Sequence, residues 1–218
     1  MDLKNYIVPK PWGYEYLIFE NEKIGIWWLH IRNNEATSLH CHPNKTTGLI
    51  LLKGEAKVSF LSDTHPMPEF SKIMIREGVF HSTQAVAESG ADIVEVEVPK
   101  DKENLVRMAD IYGRKGKHYE SLGECIPRTD KELWIEDKIG EKKIYNGYSF
   151  SIEYLTKELL DTMFDEDIIV ILSESGVVSS DNFDIVKCGH VIKIGLLKRL
   201  LYDFSIKKDA YILIIRRA

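Results

Sequence analysis

Two histidines, His40 and His42, stand one residue apart in the segment "SLHCHPNKTTG". If this segment is a β-strand, both imidazoles point to the same face and Cys41 points away, because successive side chains alternate. His81 follows Gly78 in "REGVFHST" and could join the pair from a neighbouring strand of a closed sheet. Three neutral imidazoles suit one borderline divalent metal ion such as Zn, Fe, Mn, Ni or Cu, and they leave coordination positions for water or substrate.

The elements that must position these histidines are short strands. β-branched or aromatic segments recur about every eight to twelve residues through the first half of the chain, with turn-forming residues between them. In "EAKVSFL", Ala56, Val58 and Phe60 fall on one face, which is the alternation of a half-buried strand. Gly54 and Gly78 stand at turn positions. The pattern predicts an all-β sandwich or barrel.

Composition narrows the classes of partner. The chain has 218 residues with 44% hydrophobic and 29% charged residues and a formal net charge of -5, which is typical of a soluble globular protein. That charge argues against nucleic acid and anionic membrane surfaces as partners. The absence of an apolar run of about 18 residues predicts no membrane span. The N-terminus "MDLKNYIVPKPWG" lacks a signal-peptide stretch, so we expect a cytoplasmic protein.

The three cysteines are widely spaced and form no CxxC pair, so we expect free thiols. Composition then changes after about residue 100. We predict a metal-binding domain at 1–114, a connecting segment at 115–147 and a second half at 148–218. The second half again shows short aliphatic strands, and Thr156 could cap a short helix in "LTKELLDTMF". Only His190 of the seven histidines lies beyond residue 118, which makes a histidine-built site in this half improbable.

The segments "NEATSLHCHPNKTTGLILLKG" and "IREGVFHST" resemble the two signature motifs of the cupin superfamily. The matching positions are His40, His42, Gly54, Gly78 and His81. The resemblance implies a double-stranded β-helix, or jelly-roll barrel, and a metal-ligand role for the three histidines. Thr47 stands where the family usually has glutamate. Loss of that carboxylate should weaken metal binding without abolishing it.

A finer resemblance lies at the ends of the first half. "KPWGYEYLI" and "LVRMADIYGR" look like the entry and exit signatures of the type II phosphomannose isomerase branch of cupins, that is, mannose-6-phosphate isomerase-like proteins. The matching positions are Trp12, Gly13, Glu15, Tyr112, Gly113 and Arg114. This likeness implies a carbohydrate or sugar-phosphate ligand. The second half looks like another cupin barrel that has lost its histidines, so the whole resembles a bicupin. That half would cover sheet edges, complete the core or support a homodimer interface.

Glu95 and Glu97 share one face of "ADIVEVEV". If the valines pack between sheets, the two acids are solvated. If the acidic face lines the barrel instead, one of the two glutamates could be a proton carrier or a replacement ligand, and Glu95 is our candidate for the catalytic base. Either arrangement fits the alternation of this segment.

Four other residues are candidates for contacting substrate. Lys45, Arg76 and Arg114 could neutralise a phosphate, and arginine suits bidentate recognition. Gln84 could add a polar contact.

These residues support a metal-dependent enzyme of carbohydrate metabolism, an isomerase or epimerase acting on a sugar or sugar phosphate. Two alternatives stay open. The first is a non-catalytic carbohydrate-binding or scaffold cupin, favoured by Thr47 and by the altered second half. The second is oxygen chemistry at Fe(II), which three-histidine cupins support by family resemblance.

Overall fold

The computed structural model describes residues 3–113 and 124–218. The chain divides into two compact units. Unit 1 consists of Met1–Ile18 and Gly25–Glu132, and unit 2 consists of Phe19–Ile24 and Leu133–Ala218. Unit 2 therefore includes a short segment from the beginning of the chain. The predicted connecting segment contributes strands to both units, at residues 126–127 and 142–145.

Strands dominate the described residues, and the prediction of an all-β chain is confirmed. In the first part of the chain they are β1 (Tyr6–Lys10), β2 (Gly13–Glu20), β3 (Gly25–Ile31), β4 (Leu39–Cys41), β5 (Thr46–Gly54), β6 (Ala56–Ser59), β7 (Thr64–Met67), β8 (Ser71–Ile75), β9 (Ser82–Ala85), β10 (Ala91–Val98), β11 (Val106–Ala109) and β12 (Ile126–Pro127).

The order of these strands defines a jelly roll. A seven-stranded antiparallel sheet has the order β12-β1-β2-β3-β10-β5-β8. The two-stranded sheet β11-β4 and the three-stranded sheet β7-β6-β9 are joined through isolated bridges at Ala36↔Gln84 and His40↔His81. The eight strands β3 to β10 are thus divided equally between two sheets, in the orders β3-β10-β5-β8 and β4-β9-β6-β7. This is the double Greek-key arrangement of jelly rolls, and the predicted barrel is confirmed for this unit.

Burial follows the side-chain pattern. In β6, Ala56 and Val58 are buried while Lys57 and Ser59 are half-buried, which confirms the predicted alternation. The central strand β5 carries the run "LILL" and is buried on both faces. A strand with neighbours on both sides and cover on both faces needs such a continuous apolar run.

Unit 2 contains β13 (Lys142–Tyr145), β14 (Tyr148–Tyr154), α1 (Lys157–Asp161), β15 (Ile168–Ile171), β16 (Ser175–Val178), β17 (Asp184–Lys187), β18 (Val191–Lys193), α2 (Ile194–Leu200), β19 (Ser205–Ile206) and β20 (Tyr211–Arg217). The predicted cap of the first helix is confirmed, because the backbone N–H of Leu159 donates to Thr156 Oγ1 at 3.1 Å. Buried aliphatic residues from both helices and the strands form the core of this unit.

The strand order of unit 2 parallels that of unit 1. Its sheets have the orders β13-β14-β20-β15-β18 and β17-β16-β19. Each strand of unit 2 has a counterpart at the same place in the chain order of unit 1. In the larger sheet the order β14-β20-β15-β18 corresponds to β3-β10-β5-β8. In the smaller sheet the order β19-β16-β17 corresponds to β9-β6-β7. The helix α1 stands in the chain where unit 1 has β4. Unit 2 therefore has no counterpart of the histidine-bearing strand among its described residues.

Two simpler expectations can be checked directly. Cys41, Cys125 and Cys188 are free thiols, as predicted. Within residues 3–113 and 124–218, no helix has the length and apolar character needed to cross a membrane.

Two glycines test the turn geometry of unit 1. Both have a positive φ, +86° at Gly54 and +71° at Gly78. A Cβ on Gly54 would lie 2.1 Å from the carbonyl oxygen of Gly90, whereas a Cβ on Gly78 would meet nothing within 4 Å. Alanine at either position adopts a left-handed conformation that costs about 1–2 kcal/mol. At Gly54 the overlap adds about 1–3 kcal/mol.

We therefore expect Gly54→Ala to lower the free energy of unfolding, measured by urea denaturation, by about 3 kcal/mol, and Gly78→Ala by about 1 kcal/mol. Equal losses in the two variants would contradict the close approach of Gly54 to Gly90.

Candidate metal centre

Three histidines converge at one end of the barrel. The backbones of His40 and His81 form a bridge, with each N–H donating to the other residue's carbonyl at 3.0 and 2.8 Å. His42 follows the end of β4, and its ring centroid lies 5.0 Å from that of His40 and 5.6 Å from that of His81. One ring nitrogen from each histidine lies within 4.8 Å of the other two. The main-chain bridge thus brings a distant histidine to the His40–His42 pair.

Hydrogen bonds orient all three rings in the same way. Each Nδ1 faces a main-chain carbonyl: His40 faces Ser38 at 2.7 Å, His42 faces Asn104 at 2.7 Å, and His81 faces Val79 at 3.0 Å. A carbonyl only accepts, so Nδ1 carries the proton and Nε2 keeps its lone pair. Holding the second ring nitrogen in this way is how proteins orient metal-binding histidines. The buried Nε2 of His42 has no hydrogen-bond partner.

Burial also keeps these imidazoles neutral. It lowers the pKa of His40, with further contributions from His81 and His42. Burial and then the charge of Lys45 lower the pKa of His42 to about 3. Burial likewise lowers the pKa of His81. A histidine binds metal only when its ring nitrogen is deprotonated, so the three residues fit a divalent metal ion.

Beside the histidines lie two buried carboxylates. Glu95 and Glu97 are on β10, opposite Leu49 and Thr47 of β5, and are 8% and 1% exposed. The acidic face of β10 therefore lines the barrel, which is the second of the two arrangements that the alternation allowed. One oxygen from each acid and a ring nitrogen of His42 lie within 4.8 Å of one another.

Three lysines compensate these acids and Glu15 of β2. Lys102 Nζ lies 3.4 Å from Glu15, 3.3 Å from Glu95 and 3.2 Å from Glu97. Lys45 Nζ lies 2.9 Å from Glu97 Oε1. Lys10 lies 3.6 Å from Glu15. We call these three lysines and three glutamates the charge cluster. Its formal charges cancel, which is what makes burial of the acids tolerable.

The two acids of β10 differ in protonation. Burial raises the pKa of Glu95 to about 7, although Lys102 opposes the effect. Burial also acts to raise the pKa of Glu97, but the charges of Lys102 and Lys45 outweigh it, and the pKa of Glu97 is lowered. Burial acts to lower the pKa of Lys102, yet the three glutamates raise it. Glu97 is therefore ionised at neutral pH, while Glu95 can exchange a proton there.

His40, His42 and the charge cluster face one cavity of about 480 Å³, its open mouth included. Its lining also includes Trp12, Leu29, Thr37, Ser38, Leu105 and Arg107. Arg107 lies opposite His40 in the β11-β4 pair. The cavity thus combines convergent imidazoles, a titratable acid and several cations.

The predicted site residues separate into three groups. The structure places His40, His42, Lys45 and Glu95 at the cavity, with His81 beside the other two rings. Arg76 is exposed after β8, and Gln84 donates its side-chain amide to the Asn34 carbonyl at 3.0 Å, so neither lines the cavity. Arg114 lies outside the described residues.

Sequence reasoning did not select Lys10, Lys102 and Arg107 as site residues, although all three line the cavity. For Arg107 a signal existed, because it lies within "LVRMADIYGR", the segment that carried the finer resemblance. Lys10 similarly begins "KPWGYEYLI". Lys102 lies in a charged segment with no periodicity, where nothing in the sequence marks a residue that turns inward.

No family model and no curated protein matches the chain. Solved structures do resemble part of it. KdgF from a Halomonas species is 8% identical over 44% of this chain and 89% of its own, with a TM-score of 0.41. The Cnp3 cupin domain of Schizosaccharomyces pombe is 10% identical over 40% of this chain and 64% of its own, with a TM-score of 0.38. An oxalate oxidase in complex with glycolate is 18% identical over 38% of this chain and 45% of its own, with a TM-score of 0.35.

We draw no functional conclusion from likenesses at these scores and identities. The strand order and the converging imidazoles by themselves define the first unit as a jelly-roll barrel with a candidate metal centre.

Removing one imidazole tests this centre. We expect His81→Ala to weaken binding of Zn²⁺ or Mn²⁺ by about tenfold or more, because one of three converging donors is lost. Competition with a chelator measures the affinity, and elemental mass spectrometry measures the metal retained after purification. His65→Ala is the matched control, since His65 is exposed on β7. Unchanged affinity in His81→Ala would exclude the three-histidine centre.

Proposed function

We propose that unit 1 is a cupin-type barrel that binds one divalent metal ion and acts on a sugar or sugar phosphate by proton transfer, as an isomerase or epimerase does. The observation that carries this proposal is the position of Glu95. This acid, whose pKa is raised to about 7, lines the same cavity as His40 and His42, and the ring of His81 lies beside theirs. A metal site and a proton carrier together are what such a reaction needs.

Each residue then has a stated role. His40, His42 and His81 would hold the metal, whose chemistry when bound is to polarise a carbonyl or adjacent hydroxyl oxygens of the sugar. Glu95 takes a proton from the carbon next to the carbonyl and returns it to the former carbonyl carbon, while the hydroxyl proton of the first carbon passes to the former carbonyl oxygen. In an epimerisation the proton returns to the same carbon after the intermediate has turned its other face to Glu95. Lys102, at 3.3 Å from Glu95, stabilises the carboxylate form of the acid and so favours its return to the ionised state after the proton has been transferred.

An anionic substrate is supported by the charges of the lining. Lys10, Lys45, Lys102 and Arg107 provide four cations against three glutamates. A bound divalent metal would increase this excess of positive charge. A phosphate group offsets it, and Arg107 on β11 is the lining residue suited to bidentate phosphate binding.

Binding without catalysis is the second candidate, and one contact favours it. Lys102 pairs with Glu95 and with both neighbouring acids, so the proposed base belongs to a compact ionic network. A base held in such a network must be released before it can take a proton from carbon. A carbohydrate-binding protein needs the cavity and the fixed charges but not that release.

For unit 2 we propose a cupin-like barrel that no longer binds metal. The repeated strand order supports this, and so does the replacement of the histidine-bearing strand by α1. With its buried aliphatic core, the unit would serve the stability or assembly of the protein, including a homodimer.

Hydrogen exchange with solvent tests the proposed reaction. The metal-loaded protein is incubated in D2O with mannose 6-phosphate, glucose 6-phosphate or fructose 6-phosphate, and deuterium at C1 or C2 is measured by NMR. We expect incorporation with at least one of them. In Glu95→Gln we expect incorporation to fall by about 100-fold or more, the usual contribution of a general base, with metal content unchanged.

Glu88→Gln is the control for this experiment, since Glu88 is exposed and outside the cavity. Equal exchange by Glu95→Gln and the unaltered protein would remove Glu95 from the mechanism. Saturable binding of a sugar phosphate without any exchange would favour the non-catalytic candidate.

A further inference from the structure

Three buried polar atoms near the metal centre have no hydrogen-bond partner. They are His42 Nε2, Thr47 Oγ1 and Glu97 Oε2. Their residues are 6%, 0% and 1% exposed, so bulk water does not solvate them. Folded proteins rarely leave such atoms unsatisfied, and a charged one least of all, which calls for a ligand.

Two of these atoms are acceptors and belong to neighbouring groups. A ring nitrogen of His42 and a carboxylate oxygen of Glu97 lie within 4.8 Å of each other. The Nδ1–H of His42 donates to the Asn104 carbonyl, which leaves the lone pair of Nε2 available to a metal ion. A cation between a neutral imidazole and a carboxylate satisfies both acceptors at once.

The register of the sheet explains how Glu97 reaches this position. Glu97 of β10 lies directly opposite Thr47 of β5. Side chains of directly opposed residues point to the same face of a sheet, with Cβ atoms about 4.5–5.5 Å apart. The short side chain of Thr47 leaves space on that face, and its hydroxyl is a weak ligand. The carboxylate therefore arrives from the adjacent strand.

We propose that Glu97 is the fourth protein ligand of the metal centre, binding through Oε2 together with His40, His42 and His81. This inference rests on the proposed metal-binding function of unit 1. It assigns the acidic ligand to a position that no motif in the sequence marks.

The other oxygen of Glu97 has a separate task. Oε1 accepts from Lys45 Nζ at 2.9 Å and from Lys102 Nζ at 3.2 Å. These two lysines hold Oε1 and keep the acid ionised, while Oε2 has no hydrogen-bond partner and stays available to a metal. Ligating carboxylates in proteins are supported by hydrogen bonds of this kind, so Lys45 is a positioning residue.

The test compares two buried acids that share Lys102. Glu97→Gln and Glu15→Gln each remove one negative charge next to that lysine, but only Glu97 lies in the donor group with His42. Affinity for Zn²⁺ and Mn²⁺ is measured by chelator competition, and folding is checked by circular dichroism. We expect Glu97→Gln to weaken binding by about tenfold or more, and Glu15→Gln, which perturbs Lys102 without removing a metal donor, to weaken it much less.

A crystal structure of the unaltered protein soaked in Zn²⁺ provides a second measurement that does not depend on the folding of a variant. We expect Glu97 Oε2 at about 2.0–2.2 Å from the metal. A metal held by the three histidines without Glu97, or equal losses in the two variants, would overturn the ligand assignment and leave the proposed function standing. Absence of any metal binding by the unaltered protein would overturn both.

Discussion

Pairing of Lys102 with three glutamates is the interaction on which the arrangement of the cavity depends. Glu15 comes from β2 and the other two acids from β10, so one ammonium group links two strands that are separated by β3 in the sheet order. Removing one partner of a buried ion pair typically costs about 3–5 kcal/mol, because the remaining charge is left uncompensated. The acids of β10 would not keep their present protonation without this compensation, because the charge of Lys102 acts to lower the pKa of both.

The main-chain bridge between His40 and His81 is the second constraint. It is made entirely by backbone groups, so it fixes the distance between the two residues whatever their side chains are. The imidazoles are then oriented by carbonyls of nearby loops, again independently of side-chain identity at those loops. Such a site is preorganised by the sheet itself, and a metal entering it need not reorganise the backbone.

The sequence supports prediction of the β-rich fold and of the His40–His42 pair, because both depend on local spacing. Alternation in "EAKVSFL" and the single residue between His40 and His42 are properties of neighbouring positions. The charge cluster is different, because it depends on which residues of distant strands become opposed. That Glu97 faces Thr47 follows from the register of β10 against β5, and local spacing does not determine this register. For the same reason, alternation alone could not decide whether the acidic face of β10 was solvated or buried.

Comparison of the two units shows what the site requires beyond a barrel. Unit 2 repeats the strand order of unit 1, but α1 stands where the histidine-bearing β4 would be, and aliphatic residues fill its core. An apolar core needs only matching volumes, whereas a buried polar cavity needs a partner for every charge. In unit 1 that requirement ties at least three strands and two loops to one set of ion pairs. The polar cavity is therefore the more demanding of the two solutions, since every buried charge in it must keep its partner.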